Sequence, residues 1–200
     1  MIMEIKVFDR WDLSSVTVED PGLKKYINLR PVIIPKTSGR LSSGSVHKDK
    51  INIIERFINK LAVSGHRGKK HKLSSGRNVG NYSSIAGSLI KAFEIIEKKT
   101  NQNPIQVLVR AVENGALLEE IMGYRLGGII ARKSVVTSPQ RRLDVSLRLI
   151  SQTIQAASFR KRSSLPNVIA AQLIEIANND VRNNVIRERQ RIEKEAEGAR

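Results

Sequence analysis

The pair Gly127-Gly128, set between two runs of β-favouring residues, constrains this chain more than any other feature. Paired glycines can adopt the positive φ angles of a two-residue hairpin turn. With Leu126 facing Ile129, period-two alternation puts Met122, Tyr124, Ala131 and Lys133 on one face of a ribbon. Ile121, Arg125, Ile130, Arg132 and Ser134 fall on the other, so each face mixes apolar and cationic side chains. Ser138 follows as an N-cap, and Pro139 takes the first helical position, where its missing N–H costs nothing. The sequence thus predicts a ribbon at about 117–137 that runs directly into a helix.

Arg141 and Arg142 then fall in the first turn of that helix, against the positive end of the macrodipole. A cation there is unfavourable by roughly 0.3–1 kcal/mol, whereas an anion is favoured. Free backbone N–H groups beside two guanidinium forks suit a phosphate. Solvated arginines that merely tolerate a bad position are the competing explanation, and for one pair alone the two weigh about equally. Arg125, Arg132, Lys133 and Arg148 lie nearby in sequence, and no acid stands between Glu120 and Asp144, which favours anion binding.

The charge of the whole chain points the same way. Its 200 residues carry a net charge of +16, and self-repulsion of that size disfavours a compact protein standing alone. Acids are absent between Asp20 and Asp49, between Glu55 and Glu94, and between Asp144 and Glu175, while basic residues recur throughout. Nucleic acid is the first partner implied and an anionic membrane surface the second. No apolar run approaches the ~20 residues needed to span a bilayer, and no signal-peptide pattern opens the chain. With no cysteine, disulfides, thiolate catalysis and cysteine metal sites are excluded together. The expectation is a soluble intracellular protein without a membrane partner.

Residues 1–46 are expected to form an extended N-terminal extension, and 47–200 a helical RNA-binding domain. Prolines at 31 and 35 forbid a helix across Leu29–Pro35, and Tyr26, Ile27, Val32 and Ile33 are predicted to drape over a neighbouring surface. Apolar spacing predicts helices over Asp49–Val63, Ser83–Thr100, Pro104–Asn114 and Ser138–Ser158, then one opening at Ser164-Leu165-Pro166 and one ending near Ala196. In the first, Glu55 and Arg56 are placed off the apolar stripe; in the second, Glu94 and Lys98 form an i,i+4 pair. The fourth carries the most regular stripe: Leu143, Leu147, Ile150, Ile154 and Ala157. The end at Gly198-Ala199-Arg200 is expected to fray. The fold class is mainly α: a bundle of five or six helices, with a two-stranded β-hairpin arm protruding between the third and fourth.

Two further basic stretches are candidate contacts. The glycine-bearing loop between Ser64 and Tyr82 holds Arg67, Lys69, Lys70, Lys72 and Arg77 with no acid. The connector after the fourth helix holds Arg160, Lys161 and Arg162. The loop is not a nucleotide-binding P-loop, because Gly65 and Gly68 are too close and Lys69 is followed by Lys70. His66 and His71 make a poor metal pair among like charges. No cofactor or metal is expected, nor any catalytic residue.

Aromatics are few, so phosphate and shape recognition of structured RNA fits better than base stacking. The runs NPIQVLVRAVEN (Asn103–Asn114), RLGGI, SPQRRLDVSLRLI (Ser138–Ile150) and ASFR (Ala157–Arg160) resemble the family of ribosomal protein seven of the small subunit. DPGLKKYINLRPVIIP (Asp20–Pro35), INIIERFINKL (Ile51–Leu61), GKKHK (Gly68–Lys72) and AFEIIEKKTNQNP (Ala92–Pro104) resemble its archaeal and eukaryotic branch. That resemblance implies a cytoplasmic, non-enzymatic primary binder of small-subunit ribosomal RNA that nucleates head assembly. It implies a ribbon near the exit-site tRNA and the mRNA path, and neighbouring small-subunit ribosomal proteins as partners. It implies RNA contacts at Lys69, Lys70, Lys72, Arg125, Arg141 and Arg142. The alternatives are a DNA-binding regulatory protein using the fourth helix for recognition, and a nuclease or RNA-modifying enzyme. The second lacks a glycine-rich cofactor turn and a metal-spaced acid cluster.

Overall fold

A computed structural model describes residues 5–41, 48–65 and 81–200. In chain order these form α1 (Pro21–Lys24), a 3-10 turn (Lys48–Lys50), α2 (Ile53–Ala62), α3 (Tyr82–Thr100) and α4 (Pro104–Asn114). Then come β1 (Glu119–Leu126), β2 (Ile129–Val136), α5 (Pro139–Ser158), α6 (Leu165–Ala177) and α7 (Asn184–Glu197). The fold is mainly helical with one antiparallel hairpin, as the apolar periodicity predicts. Setting aside the single turn of α1, that hairpin lies between the third and fourth helices.

The helix boundaries follow from capping chemistry. Asn103 accepts from the N–H of Ile105 and Pro104 takes the first position of α4. The first apolar helix starts later than its spacing suggests. A 3-10 turn occupies Lys48–Lys50, and Asn52 caps α2 by accepting from the N–H of Ile54. Helix α6 is the centre of the bundle, touching α3, α4 and α5, with Val168, Ile169, Ala170, Leu173 and Ile176 buried on it. The α5 stripe behaves as core: Leu143, Leu147, Ile150 and Ile154 are fully buried, and Ala157 packs at its edge.

The N-terminal segment is laid into the bundle rather than over its surface. Val7, Trp11, Leu13, Val16 and Leu23 belong to the one hydrophobic core. Of the residues expected to drape, Ile27 is buried, Tyr26 is packed against the core, and Ile33 is half exposed. Trp11 stands edge-on to Phe93 with ring centroids 5.4 Å apart, and its Nε1 donates to Glu97 at 3.1 Å. The polar face of α4 supplies the anchor points. Asn103 Nδ2 donates to the Asp12 carbonyl at 2.7 Å, Gln106 exchanges bonds with the backbone of Thr17, and Glu113 Oε1 accepts from the N–H groups of Glu19 and Asp20. These residues lie at helical spacing on one face, so α4 is buried on its apolar side and occupied on its polar side.

Two charged residues placed off the α2 stripe are in fact buried. Glu55 accepts from both the N–H and the hydroxyl of Thr37, at 2.9 and 2.8 Å. Arg56 donates through Nη2 to Asp144 Oδ1 at 3.2 Å, across to α5. The N-terminal segment and α5 cover the face that spacing alone leaves to solvent. Glu94 likewise pairs with Arg10 of that segment, not with Lys98.

The hairpin has the register expected. Leu126 faces Ile129, Tyr124 faces Ala131, and Met122 faces Lys133. Only Gly127 takes a positive φ, of 60°, so one of the two glycines is conformationally required. The base of the ribbon packs on α7, while Ile129 and Ile130 near its tip are 75% and 64% exposed. The C-terminal end does not fray freely: Arg200 Nη2 donates to Glu119 Oε1 of β1 at 2.6 Å, and Gly198, Ala199 and Arg200 each donate a backbone bond to the last turn of α7.

Candidate nucleic-acid interface

Three exposed basic regions emerge from these elements. The first is the hairpin, where Arg125, Arg132 and Lys133 are all exposed. Arg125 faces Ile130 and Arg132 faces Gly123, so the two arginines are diagonal neighbours on one face. Lys133, opposite Met122, points to the other.

The second region lies at the start of α5. Ser138 is the N-cap residue, but its hydroxyl makes no capping bond, and Pro139 has no N–H to offer. Arg141 is exposed and forms a two-pronged ion pair with Glu120 of β1, its Nη2 donating to Oε2 at 2.7 Å. This bond raises the Arg141 pKa, since it favours the charged form. Arg142 behaves differently. Its side chain is only 11% exposed, its Nε donates to the Leu117 carbonyl at 3.0 Å, and its Nη2 donates to Asp20 Oδ2 at 2.6 Å. The two arginines that look equivalent in sequence therefore differ: Arg141 makes a surface pair with Glu120 and stays largely exposed, and Arg142 ties α5 to α1 and to the hairpin base. The mismatch with the helix dipole is relieved within the chain by Glu120 and Asp20.

A cleft of about 410 Å³ extends this region, bringing Arg141 and Arg148 together with Lys48, Lys60 and Asp144. Lys48 and Lys60 are site residues that the sequence argument missed. They come from the 3-10 turn and α2, about ninety positions away, and no local pattern signals that meeting. Burial works to raise the Asp144 carboxyl, but the bond from Lys48 at 2.6 Å and the charges of Arg56, Lys48 and Lys60 together hold it below its ordinary value. Burial lowers the Lys60 ammonium; Asp144 opposes that shift, and Lys48, Arg148 and Arg56 reinforce it.

The third region is the connector at the far end of α5, where Arg160, Lys161 and Arg162 are exposed. Arg160 sits at φ 56° with its guanidinium 5.3 Å from the Phe159 ring centroid. Most of the length of α5, from Arg142 to Ser158, separates this connector from Arg141, about 26 Å. The two regions cannot grip the same phosphate. Arg67, Lys69, Lys70, Lys72 and Arg77 lie outside the described residues, as do His47, His66 and His71.

Among the described residues no group of three or more His, Cys, Asp or Glu could hold a metal ion. No described helix is long and apolar enough to cross a membrane. Helix α5, the fourth helix of the sequence analysis, touches α1, α2, α4, α6 and α7. A helix so enclosed cannot be laid in a DNA major groove.

The family described as ribosomal protein S7p/S5e matches residues 23–200. Relatives extend the likeness to almost the whole chain. A small ribosomal subunit protein uS7 from Nanoarchaeum equitans is 43% identical over 198 residues, covering 99% of this chain and 100% of that protein. The uS7 proteins of Cenarchaeum symbiosum and Archaeoglobus fulgidus are 40% and 38% identical, covering 97% and 98% of this chain and 96% of each relative. A mainly helical bundle with a hairpin before its longest helix, matched over nearly all of its length by archaeal proteins of one kind, belongs to the ribosomal protein S7p/S5e family in its archaeal form.

Proposed function

We propose that this chain is a structural, non-enzymatic constituent of the small ribosomal subunit that binds the subunit's ribosomal RNA directly. In this role it is a primary binder that nucleates assembly of the head, in the cytoplasm, with other small-subunit proteins as neighbours. The hairpin, with Arg125, Arg132 and Lys133 exposed, is the element that reaches toward the exit-site tRNA and the mRNA path. Arg141, Arg148 and the connector Arg160–Arg162 bind the RNA backbone, with Arg67, Lys69, Lys70, Lys72 and Arg77 as further contacts. Arg142 serves the fold that presents them.

The observation that carries this proposal is the segregation of charge. On the hairpin, along α5 and on the connector the exposed charges are cations, Arg125, Arg132, Lys133, Arg141, Arg148, Arg160, Lys161 and Arg162, while acids of the same neighbourhood are consumed in bonds within the chain: Asp20, Glu113, Glu120 and Asp144. What remains open to a partner is predominantly positive, which suits a polyanion.

Competition binding tests it. The full chain is expected to prefer a small-subunit head RNA fragment over duplex DNA at physiological salt, and hydroxyl-radical footprints on that RNA should map to the hairpin and the α5 start. Equal affinity for the two nucleic acids would reject the proposal. Recovery of the chain in sedimented small subunits, and not in the free pool, is the matching result in cells.

A further inference from the structure

The cleft beside the α5 start is more specific than a generally basic surface. Of the charges lining it, Asp144 is held by Lys48 at 2.6 Å and by Arg56 at 3.2 Å, so its carboxylate is already answered. Arg141 is answered by Glu120. Among the described residues neither Lys60 nor Arg148 forms an ion pair, although both line the cleft. Lys60 is half-buried, and desolvation works against its charge; Asp144 offsets part of that, while Lys48, Arg148 and Arg56 add to it, and the net shift is downward. An anion placed there would relieve that opposition. The uncapped first turn of a 20-residue helix opens beside the same space, and no side chain of Ser138 occupies its N–H groups.

We infer that this cleft seats a single phosphodiester group of an RNA strand, held by Lys60, Arg148 and the first-turn amides of α5. Arg141 joins by exchanging Glu120 for a phosphate oxygen. The inference deepens the RNA-binding function proposed above and rests on it. Lys60 is the residue it adds, a compact cation suited to one phosphate and not to a base edge. Asp144 does not oppose the ligand, because Lys48 and Arg56 flank both of its oxygens.

Full-length wild type, Lys60→Met and Lys60→Arg are compared for binding to a small-subunit head RNA fragment across a salt series. Lys60→Met is expected to bind several-fold more weakly, with the slope of log K against log salt reduced by about one, while Lys60→Arg keeps the wild-type slope. A melting temperature for Lys60→Met at or above wild type would exclude loss of fold as the cause. If the wild type itself binds the fragment without salt dependence, the RNA-binding function fails. If the wild type binds steeply and Lys60→Met keeps the same slope, the phosphate seat alone is overturned. Backbone NMR distinguishes the source of the phosphate. Shifts of the Gln140 and Arg141 amides on adding RNA, but not on adding inorganic phosphate at equal ionic strength, support a phosphodiester seat. Equal saturation by inorganic phosphate would overturn it in favour of a free-phosphate site.

Discussion

Arg142 reaches Asp20 across 122 positions of sequence, its Nη2 donating to Oδ2 at 2.6 Å with the guanidinium only 11% exposed. Asp20 also caps α1 by accepting from the N–H of Gly22, so a single carboxylate ends the N-terminal segment and receives α5. The same guanidinium holds the Leu117 carbonyl at the entry to the hairpin.

Replacing Arg142 with alanine is therefore expected to cost about 1.5–3 kcal/mol, the range for hydrogen bonds to a charged group. In a chain of this size each kcal/mol lowers the melting temperature by roughly 2–4 °C. Arg141→Ala should change stability by about 1 kcal/mol or less, because its pair with Glu120 is more exposed, but should weaken RNA binding. Circular-dichroism melts of the two single variants, beside binding isotherms, separate the roles. Equal melts would contradict the division of labour between neighbours.

Two carboxylates give stability opposite dependences on pH. The Asp144 pKa is depressed in the folded chain, so its contribution is present above the unfolded value of about 3.9 and is lost as pH falls through the lower folded value. Burial raises the Glu113 carboxyl, an effect partly offset by the N–H groups of Asp20 and Glu19. Its contribution is present below the unfolded value of about 4.3 and is lost as pH rises through the higher folded one. Asp144→Asn should destabilise by about 3 kcal/mol at neutral pH, since it strands the buried Arg56. Glu113→Gln keeps an acceptor for both N–H groups and should leave neutral-pH stability unchanged or raised. Urea midpoints from acid to neutral pH check both signs.

Gly115 marks a close approach with no unusual backbone, at φ −86°. A Cβ there would stand 2.7 Å from Ser146 Oγ and 3.2 Å from Val185 Cγ1, where α4, α5 and α7 meet. The Ser146 hydroxyl is itself fixed, donating to the Val112 carbonyl at 2.8 Å. Gly115→Ala is expected to cost about 1–3 kcal/mol through overpacking. Adding Ser146→Ala should recover part of that loss, which a double-mutant cycle in urea would measure.

Binding to the head RNA fragment should be steeply salt-dependent. If ~6–10 phosphates are neutralised, affinity falls about 10³–10⁵ between 50 and 200 mM salt. Filter binding or fluorescence anisotropy across that range checks it, and a flat response would remove electrostatics as the mechanism.

The elements that carry local signals were legible in the chain itself. Gly127-Gly128 with its flanking alternation specifies the hairpin register, and Asn103-Pro104 and Ser138-Pro139 mark two helix starts. The stripe from Leu143 to Ile154 marks its buried face. What escaped was long-range pairing. Glu55 and Arg56 sit at positions that periodicity assigns to solvent, yet Thr37 and Asp144 arrive from elsewhere to cover them. Trp11, Leu13 and Val16 are core residues in a stretch without helical or strand period, so no spacing argument could place them. The cleft failed for the same reason: Lys48 and Lys60 become neighbours of Arg148 only once α2 packs on α5.

The part of the chain that the family pattern matches begins at residue 23, yet Val7, Trp11, Leu13 and Val16 fill the same interior as the helices that follow. Cutting away everything before that point would not trim a loose leader. It would leave an open trench along α3 and α4, with Phe93 wetted and a rail of amides and carboxylates facing nothing, so the helices that follow could not be isolated intact without it.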